Sequence, residues 1–499
     1  MGGDETRPRR SPLATILRGG SVYTVGKVIS DLGEFVLHLL VSRWLGAGLY
    51  GLFAYGKTLA FTALLLTNFG GDKSIVRYLP QYEDDPPKRA FMLALAWVTS
   101  ITGAGVVAGA LFVGAPLINS LTLDEPTFVG VLRLFAVILF LDTVANLLYA
   151  TFRALEVIEY EVFTKRIYKP IARVVCVGAA LLFGSSVFGV VAAMVVASVL
   201  TLGLATYLFL TRTDVRPRLR SAAATRGSVK QYYNYSLPLT AKEAGTVMQG
   251  RLDVLVVGVF LSATAVAVYN VSVLVAGVLY VPLLAANQLF APVASRLHTQ
   301  GDRDELVATY RTVARWIFTI SLLVALLIGT FRVELLGLFG PEFTAGATVL
   351  LLLLVGQLCN AGTGPSGYLL MMTDHQYVVM ANAWVFGVAN VVLTVAFVQA
   401  FGLVGAAVAS AGVLALRNVT KLCEVWYFER MTPYDRAFSK PVLAGLLTVA
   451  VLTAVQAFGP GGPLGVAIGG LLGVAVYVGT LLGVGIETTD RELYAELFD

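Results

Sequence analysis

The chain of 499 residues has a mean hydropathy of +0.78, with 57% hydrophobic and only 13% charged residues. Soluble domains carry about 25% charged residues, so the composition excludes a soluble or disordered protein and indicates an integral membrane protein. The formal net charge of +5 arises from short basic segments between apolar runs. It therefore indicates membrane topology and contact with acidic lipid headgroups rather than a nucleic acid partner.

Apolar runs of about 20 residues are long enough to cross a bilayer as helices, and the sequence contains fourteen of them. The first run carries charges and is followed by many others, so we do not interpret it as a cleavable signal peptide. The predicted fold class is an all-α integral membrane protein. Its predicted spans are 21–43, 49–71, 90–114, 128–151, 169–185, 187–210, 234–259, 263–288, 314–331, 346–371, 376–399, 402–425, 440–458 and 462–485.

Basic residues concentrate in alternate connections between these spans, with Arg43 and Arg332 as exceptions. Positively charged connections stay on the cytoplasmic side, so both termini are predicted to be cytoplasmic, in a multi-pass protein of the plasma membrane. The largest such groups are Arg7, Arg9, Arg10 and Arg18 before the first span, and Arg212, Arg216, Arg218, Arg220, Arg226 and Lys230 after the sixth.

The first and seventh spans are similar at a shift of 215 residues. The shift places Lys27 on Lys242 and His38 on Asp253. A unit of six helices predicts two lobes with the same orientation, related by a parallel pseudo-repeat, followed by two C-terminal helices. The predicted divisions are an N-terminal segment 1–20, an N-lobe 21–211, a basic linker 212–233, a C-lobe 234–425, a loop 426–439, the last two spans 440–485, and a tail 486–499.

Four ionisable residues lie on one face of the first span. Lys27, Asp31, Glu34 and His38 follow at intervals of three and four residues, the spacing of one helical face. A charge at the bilayer centre costs at least about 2.5–3.5 kcal/mol on insertion scales. We therefore expect this face to line a bundle interior or a water-filled cavity.

Three short motifs carry a resemblance to a known family. They are the turn Leu45–Phe53, the pair Gly70-Gly71, and the segment Arg77-Tyr78-Leu79-Pro80. In these motifs and in its fourteen-span layout, the chain resembles the polysaccharide (Wzx-type) flippases of the multidrug/oligosaccharidyl-lipid/polysaccharide (MOP) exporter superfamily. The resemblance implies a MATE-like architecture and translocation of lipid-linked oligosaccharides to the outer leaflet by alternating access between two lobes.

Such a substrate carries a phosphate or diphosphate through a region of low dielectric, so buried cations must replace its water. The resemblance implies basic residues on the cavity-facing sides of helices one, two and seven. For each cation the alternative is that its side chain reaches the interface and serves only topology. The candidates for a cationic cavity are Lys27, Lys57, Arg133, Lys242, Arg251 and Arg417.

The carboxylates in the spans admit two interpretations. They neutralise the cations, or they bind a coupling proton or Na⁺. Asp31 and Glu34 are the first coupling candidates, and Asp253, with Asn382 or Asn390 near it, is a candidate for an alkali-ion site. The full set is Asp31, Glu34, Asp142, Glu243 and Asp253.

Three functions follow from this sequence. The first is a flippase for lipid-linked oligosaccharides, acting as a monomer among membrane lipids. The second is a MATE-type multidrug or cation antiporter that binds its substrate through carboxylates. The third, a membrane-embedded glycan polymerase or ligase, is disfavoured because the predicted outside connections are short and nearly uncharged. The three cysteines, Cys176, Cys359 and Cys423, lack metal-ligand spacing, and no cofactor is expected beyond a coupling proton or Na⁺.

Overall fold

The computed structural model describes residues 12–220, 224–248, 252–485 and 487, and the side chains of these residues except at 12–25, 65–66 and 241–248. Every regular element in the described residues is helical. The contacts divide the chain into a first unit, Met1–Val247, and a second unit, Met248–Asp499. The lobe boundaries predicted from the sequence stay a prediction.

The described residues of the first unit form eight helices and one π-helical segment, Val162–Tyr168. The helices are α1 Pro12–Thr67, α2 Gly71–Gln81, α3 Pro86–Leu121, α4 Pro126–Ala154, α5 Ile158–Glu161, α6 Lys169–Leu182, α7 Val187–Arg212 and α8 Arg226–Met248. Helix α3 illustrates how the sequence sets an element's start. The Asp85 carboxylate accepts a hydrogen bond from the Lys88 amide at 3.1 Å, and prolines follow in the first turn, as expected at a helix amino end.

The second unit continues with helices α9–α18 and three short 3₁₀ turns. The helices are α9 Leu252–Phe260, α10 Ala263–Ala276, α11 Val281–Gln300, α12 Arg303–Thr330, α13 Arg332–Gly337, α14 Ala347–Gly362, α15 Ser366–Met372, α16 Gln376–Glu429, α17 Ser439–Phe458 and α18 Gly462–Val484.

Where the structure describes them, the fourteen predicted spans fall mainly on helices. Ten helical stretches in the described residues are long and apolar enough to cross a membrane, and two of these, in α1 and α16, each contain two predicted spans. The remaining two predictions fall on α6, which has only 14 residues, and on α8 with α9. The all-α membrane fold class is therefore confirmed.

Both long helices are broken at a glycine. Gly46 in α1 has φ 73° and ψ 172°, and Gly402 in α16 has φ 61° and ψ −138°. The Cβ of any other residue makes these conformations costly. Each glycine therefore lets the chain reverse between two spans without a separate loop, which places the two halves of α1 against each other.

Aromatic side chains form much of the buried interior of the first unit. Phe53 contacts Phe135 with ring centroids 5.8 Å apart, and Tyr55 contacts Phe128 at 5.6 Å. In contrast, large apolar side chains such as Phe183 and Leu182 on the outer surface are 89% and 76% exposed. Apolar patches of this kind are rare on soluble proteins, and they suit a surface that faces lipid.

Candidate functional site: charges buried among the membrane helices

Four polar side chains from the two halves of α1 contact one another. We call them the Glu34 cluster: Glu34, His38, Tyr50 and Lys57. His38 is 1% exposed, and its Nδ1 lies 2.7 Å from the Tyr50 hydroxyl. Lys57 Nζ lies 2.9 Å from His38 Nε2 and forms an ion pair with Glu34. His38 Nε2 also lies 3.4 Å from Glu34, so the imidazole contacts both members of this ion pair.

Lys27 and Asp31 form a second ion pair on α1, one turn before the cluster. Their charged atoms are 2.8 Å apart, and their side chains are 33% and 56% exposed. The structure thus places both predicted cations of the first two spans beside carboxylates of the predicted face. This geometry suits the charge-neutralising interpretation of Asp31 and Glu34, and their role in coupling stays a prediction.

Asp142 is the centre of a second buried group, the Asp142 triad, which α4 forms with α6. Its Oδ2 lies 2.9 Å from Lys169 Nζ and 3.0 Å from an Arg173 guanidinium nitrogen. The three side chains are only 13–18% exposed. Because two cations share one carboxylate, the triad carries one excess positive charge. Sequence reasoning did not select Lys169 or Arg173 for the cavity, although their four-residue spacing in an apolar span was an available signal.

Arg133 lies apart from both groups. Its exposed side chain extends along α3, where Nε donates to the Phe112 carbonyl at 3.4 Å and the guanidinium lies 5.2 Å from the Phe112 ring centre. The structure therefore does not bring Arg133 together with Lys57.

Three of the predicted site residues have side chains outside the described set. The backbone of Lys242 and Glu243 lies in α8, but their side chains are outside the described set, and Arg251 lies outside the described residues. The predicted role of the seventh span in the cavity stays a prediction.

The second unit contains a cavity of about 270 Å³, which we call the Asp253 cavity. Asp253 is 9% exposed, and its Oδ2 accepts hydrogen bonds from the Tyr269 hydroxyl at 2.7 Å and the Ser410 hydroxyl at 3.0 Å. Asn390 and Arg417 line the same cavity. The structure thus brings together three residues that the sequence analysis named, and it adds two hydroxyl groups.

Asn382 has a different partner. Its amide nitrogen donates to both carboxylate oxygens of Glu424, at 2.9 and 2.7 Å. Of the two asparagines considered for Asp253, Asn390 is therefore the one in its cavity. A carboxylate among hydroxyl and amide oxygens offers the hard ligands that an alkali ion prefers.

The fold defines the class of protein. The lipid II flippase MurJ in an inward closed conformation is similar, with a TM-score of 0.74, 12% identity and coverage of 96% of this chain and 99% of that chain. An inward-facing multidrug resistance MATE family transporter of the MOP superfamily gives a TM-score of 0.67, with 15% identity and coverage of 81% and 97%. The chain therefore has the fold of MOP superfamily transporters.

The family follows from the sequence comparison. The model described as polysaccharide biosynthesis protein matches residues 16–298, more than half of the chain, and the MatE model matches 238–396. The chain belongs to the polysaccharide biosynthesis protein family, which confirms the resemblance noted in the sequence. The probable flippase AglR of Haloferax volcanii is 25% identical over 252 residues, which are 48% of this chain and 51% of AglR. The chain thus spans about half the length of that relative.

Proposed function

We propose that the protein is a flippase that moves a polyprenyl- or dolichyl-linked oligosaccharide, through its phosphate or diphosphate, across the plasma membrane. It would act as a monomer by alternating access, with both termini in the cytoplasm, and would serve surface polysaccharide or glycoprotein assembly. Membership of the polysaccharide biosynthesis family supports this proposal, as does the similarity to AglR, named a probable flippase.

The observation that carries the proposal is the excess of positive charge among the membrane helices of the first unit. Among the described ion pairs, three carboxylates, Asp31, Glu34 and Asp142, bind four cations, Lys27, Lys57, Lys169 and Arg173. Burying cations costs free energy unless they are paired, so an unbalanced cation is retained at a cost. A phosphate that leaves water would supply the missing negative charge and gain charge-assisted hydrogen bonds.

The test uses cells in which surface glycan depends on this protein. We expect Lys57→Met and Lys169→Met each to reduce surface glycan at equal protein level and to accumulate the lipid-linked precursor inside the cell. Lys230→Gln, a change at an exposed lysine of α8, serves as the matched control and should behave as wild type. Normal surface glycan in both lysine variants would reject the proposed role of these buried cations.

We further propose that a proton or Na⁺ drives the cycle and that Asp253 binds it. Its hydroxyl partners Tyr269 and Ser410 and the cavity amide of Asn390 supply additional ligands. Asp253→Asn should reduce transport when a Na⁺ or pH gradient is imposed on proteoliposomes and leave any gradient-independent movement unchanged. Equal responses of variant and wild type to both gradients would argue against coupling at this residue.

The second candidate is a MATE-type antiporter, favoured by the MatE match over 238–396 and by the carboxylate in the Asp253 cavity. Dye efflux from cells that express the protein separates the two candidates. Efflux that depends on Asp253, with surface glycan unaffected by deletion of the gene, would favour the antiporter.

A further inference from the structure

A separate cavity of about 170 Å³ lies in the first unit where α2 begins and α4 ends, and we call it the Lys165 cavity. Ten residues line it, and most of them are polar, among them Asn68, Asp72, Lys73, Arg153 and Lys165. Its volume is several times the ~30 Å³ that one water molecule occupies in the liquid. The Glu34 cluster and the Asp142 triad contribute none of these ten residues, so the proposed transport site does not account for this cavity.

Three cations and two carboxylates set the charge of the cavity. Glu161, which is 2% exposed, accepts hydrogen bonds from Arg153 at 2.9 and 2.5 Å and lies 3.9 Å from Lys165 Nζ. Lys73 lies 3.5 Å from Asp72. Among these five described side chains one positive charge is in excess, and Lys165 is the cation that lies farthest from its carboxylate.

Two further observations favour an anion in this cavity. Helix α2, of 11 residues, begins beside it at Gly71, and the amino end of a helix attracts anions because its first N–H groups and the helix dipole point outward. Burial also lowers the pKa of Lys165 to about 8 despite its carboxylate neighbour, which shows that the protein solvates this ammonium poorly.

The cavity also presents uncharged hydrogen-bonding groups. Asn68 Oδ1 is buried and has no hydrogen-bond partner among the described residues, and the amide of Asn146 and the hydroxyl of Thr240 also line the cavity. Because a buried polar atom without a partner costs free energy, these groups suit a ligand that carries hydroxyl groups or bound water beside its charge.

We propose that the Lys165 cavity binds the phosphate group of a membrane-anchored anion, held by Lys73, Arg153 and Lys165. Two lipids carry this chemistry: the diphosphate of a lipid-linked substrate and the headgroup of an acidic phospholipid. The cavity adjoins connections whose charge predicts the cytoplasmic side. Occupation by the substrate would rest on the proposed function and would make the cavity a loading site, whereas binding of a phosphate does not depend on that function.

The test measures binding of two water-soluble probes to the full-length protein in detergent. Farnesyl diphosphate represents the lipid-linked substrate, and dihexanoyl phosphatidylglycerol represents the phospholipid. The cavity variant is Lys73→Gln with Lys165→Gln. The matched control is Arg226→Gln with Lys230→Gln, which removes two exposed cations outside the cavity.

We expect at least one probe to bind the wild type and the control equally, and the cavity variant about tenfold more weakly, because hydrogen bonds to charged groups are lost. The probe that binds more tightly identifies the lipid.

Lys165→Arg keeps the charge and should retain binding, which separates loss of the site from loss of folding. Absence of binding by both probes, or equal affinity in the two double variants, would overturn the proposal. Surface glycan plays no part in this measurement, so the proposed function stands or fails separately.

Discussion

Lys57 Nζ lies 2.9 Å from His38 Nε2, although the two residues are 19 positions apart and belong to opposite halves of α1. Gly46 makes this contact possible because it reverses the chain between them. The contact links the two halves of α1 through a charged lysine, a buried imidazole and the Tyr50 hydroxyl. The backbone conformation at Gly46 therefore determines which charged side chains meet in the proposed site.

Lys57 and Glu34 should be energetically coupled. Lys57→Met and Glu34→Gln should each destabilise the protein by about 1–3 kcal/mol, because each leaves a half-buried charge without its partner. The double variant should lose less than the sum of the two, with a coupling of at least about 0.5 kcal/mol. Thermal unfolding followed by tryptophan fluorescence measures all three. Additive losses would mean that the ion pair contributes no stability.

Asp142→Asn should be strongly destabilising because it leaves Lys169 and Arg173 buried beside a neutral amide. Removing one partner of a buried ion pair costs about 3–5 kcal/mol. Addition of Lys169→Met should recover part of the loss, since it removes one of the two stranded cations. The melting temperature in detergent is the measurement. Asp214→Asn, at an exposed carboxylate, is the control, with an expected change within about 0.5 kcal/mol.

Gly46→Ala should destabilise the protein by about 1–3 kcal/mol because its backbone lies in a region that only glycine adopts without strain. Gly109→Ala is a matched control within α3. A Cβ there meets nothing within 4 Å, and alanine is the better helix former, so stability should stay equal or rise by up to about 1 kcal/mol. Melting temperatures of the two variants provide the comparison, and equal values would mean that the break at Gly46 is unimportant.

Lys165 should make stability depend on pH in the alkaline range. Burial lowers its pKa from 10.5 to about 8, so between these values the folded protein binds fewer protons than the unfolded chain, and stability rises with pH. Below about pH 8 the penalty is fully present. Lys165→Met should therefore stabilise the anion-free protein by about 1 kcal/mol at pH 7, allowing for partial solvent exposure.

That gain should shrink as the pH rises from about 8 to above 10.5. The measurement is the difference in melting temperature between variant and wild type at pH 7 and at pH 10. Lys230→Met, at an exposed lysine, should show almost no difference at either pH. A Lys165→Met gain that is the same at both values would contradict the assigned cause.

The sequence could predict those parts of the site whose residues are close together in the chain and regularly spaced along one helix. The spacing of Lys27, Asp31 and Glu34 identified one helical face, and the structure places these residues in two ion pairs. The pairing of Asp142 with Lys169 and Arg173 was missed because it joins residues 27 and 31 positions apart on different helices. Periodicity predicts which residues share a face, whereas tertiary packing decides which faces meet.

The same distinction applies to the fold. The apolar runs predicted the positions of the long helices, because the thickness of the membrane sets the length of an apolar run in the sequence. Ten helical stretches of the described residues are long and apolar enough to cross a membrane, and twelve of the fourteen predicted spans fall on them. The boundaries between predicted spans fall at Gly46 and next to Gly402. The sequence did not indicate that the helix resumes directly after each glycine.

The breaks at Gly46 and Gly402 also determine where sidedness can be measured. Each break is a tight turn that joins two spans without a loop, so an epitope tag or protease site inserted there would disturb the packing of both spans. The connection at 122–125 lies outside the helices, and exposed connections of this kind tolerate insertions best. A tag at this position should therefore test the prediction that this connection lies on the face opposite the termini.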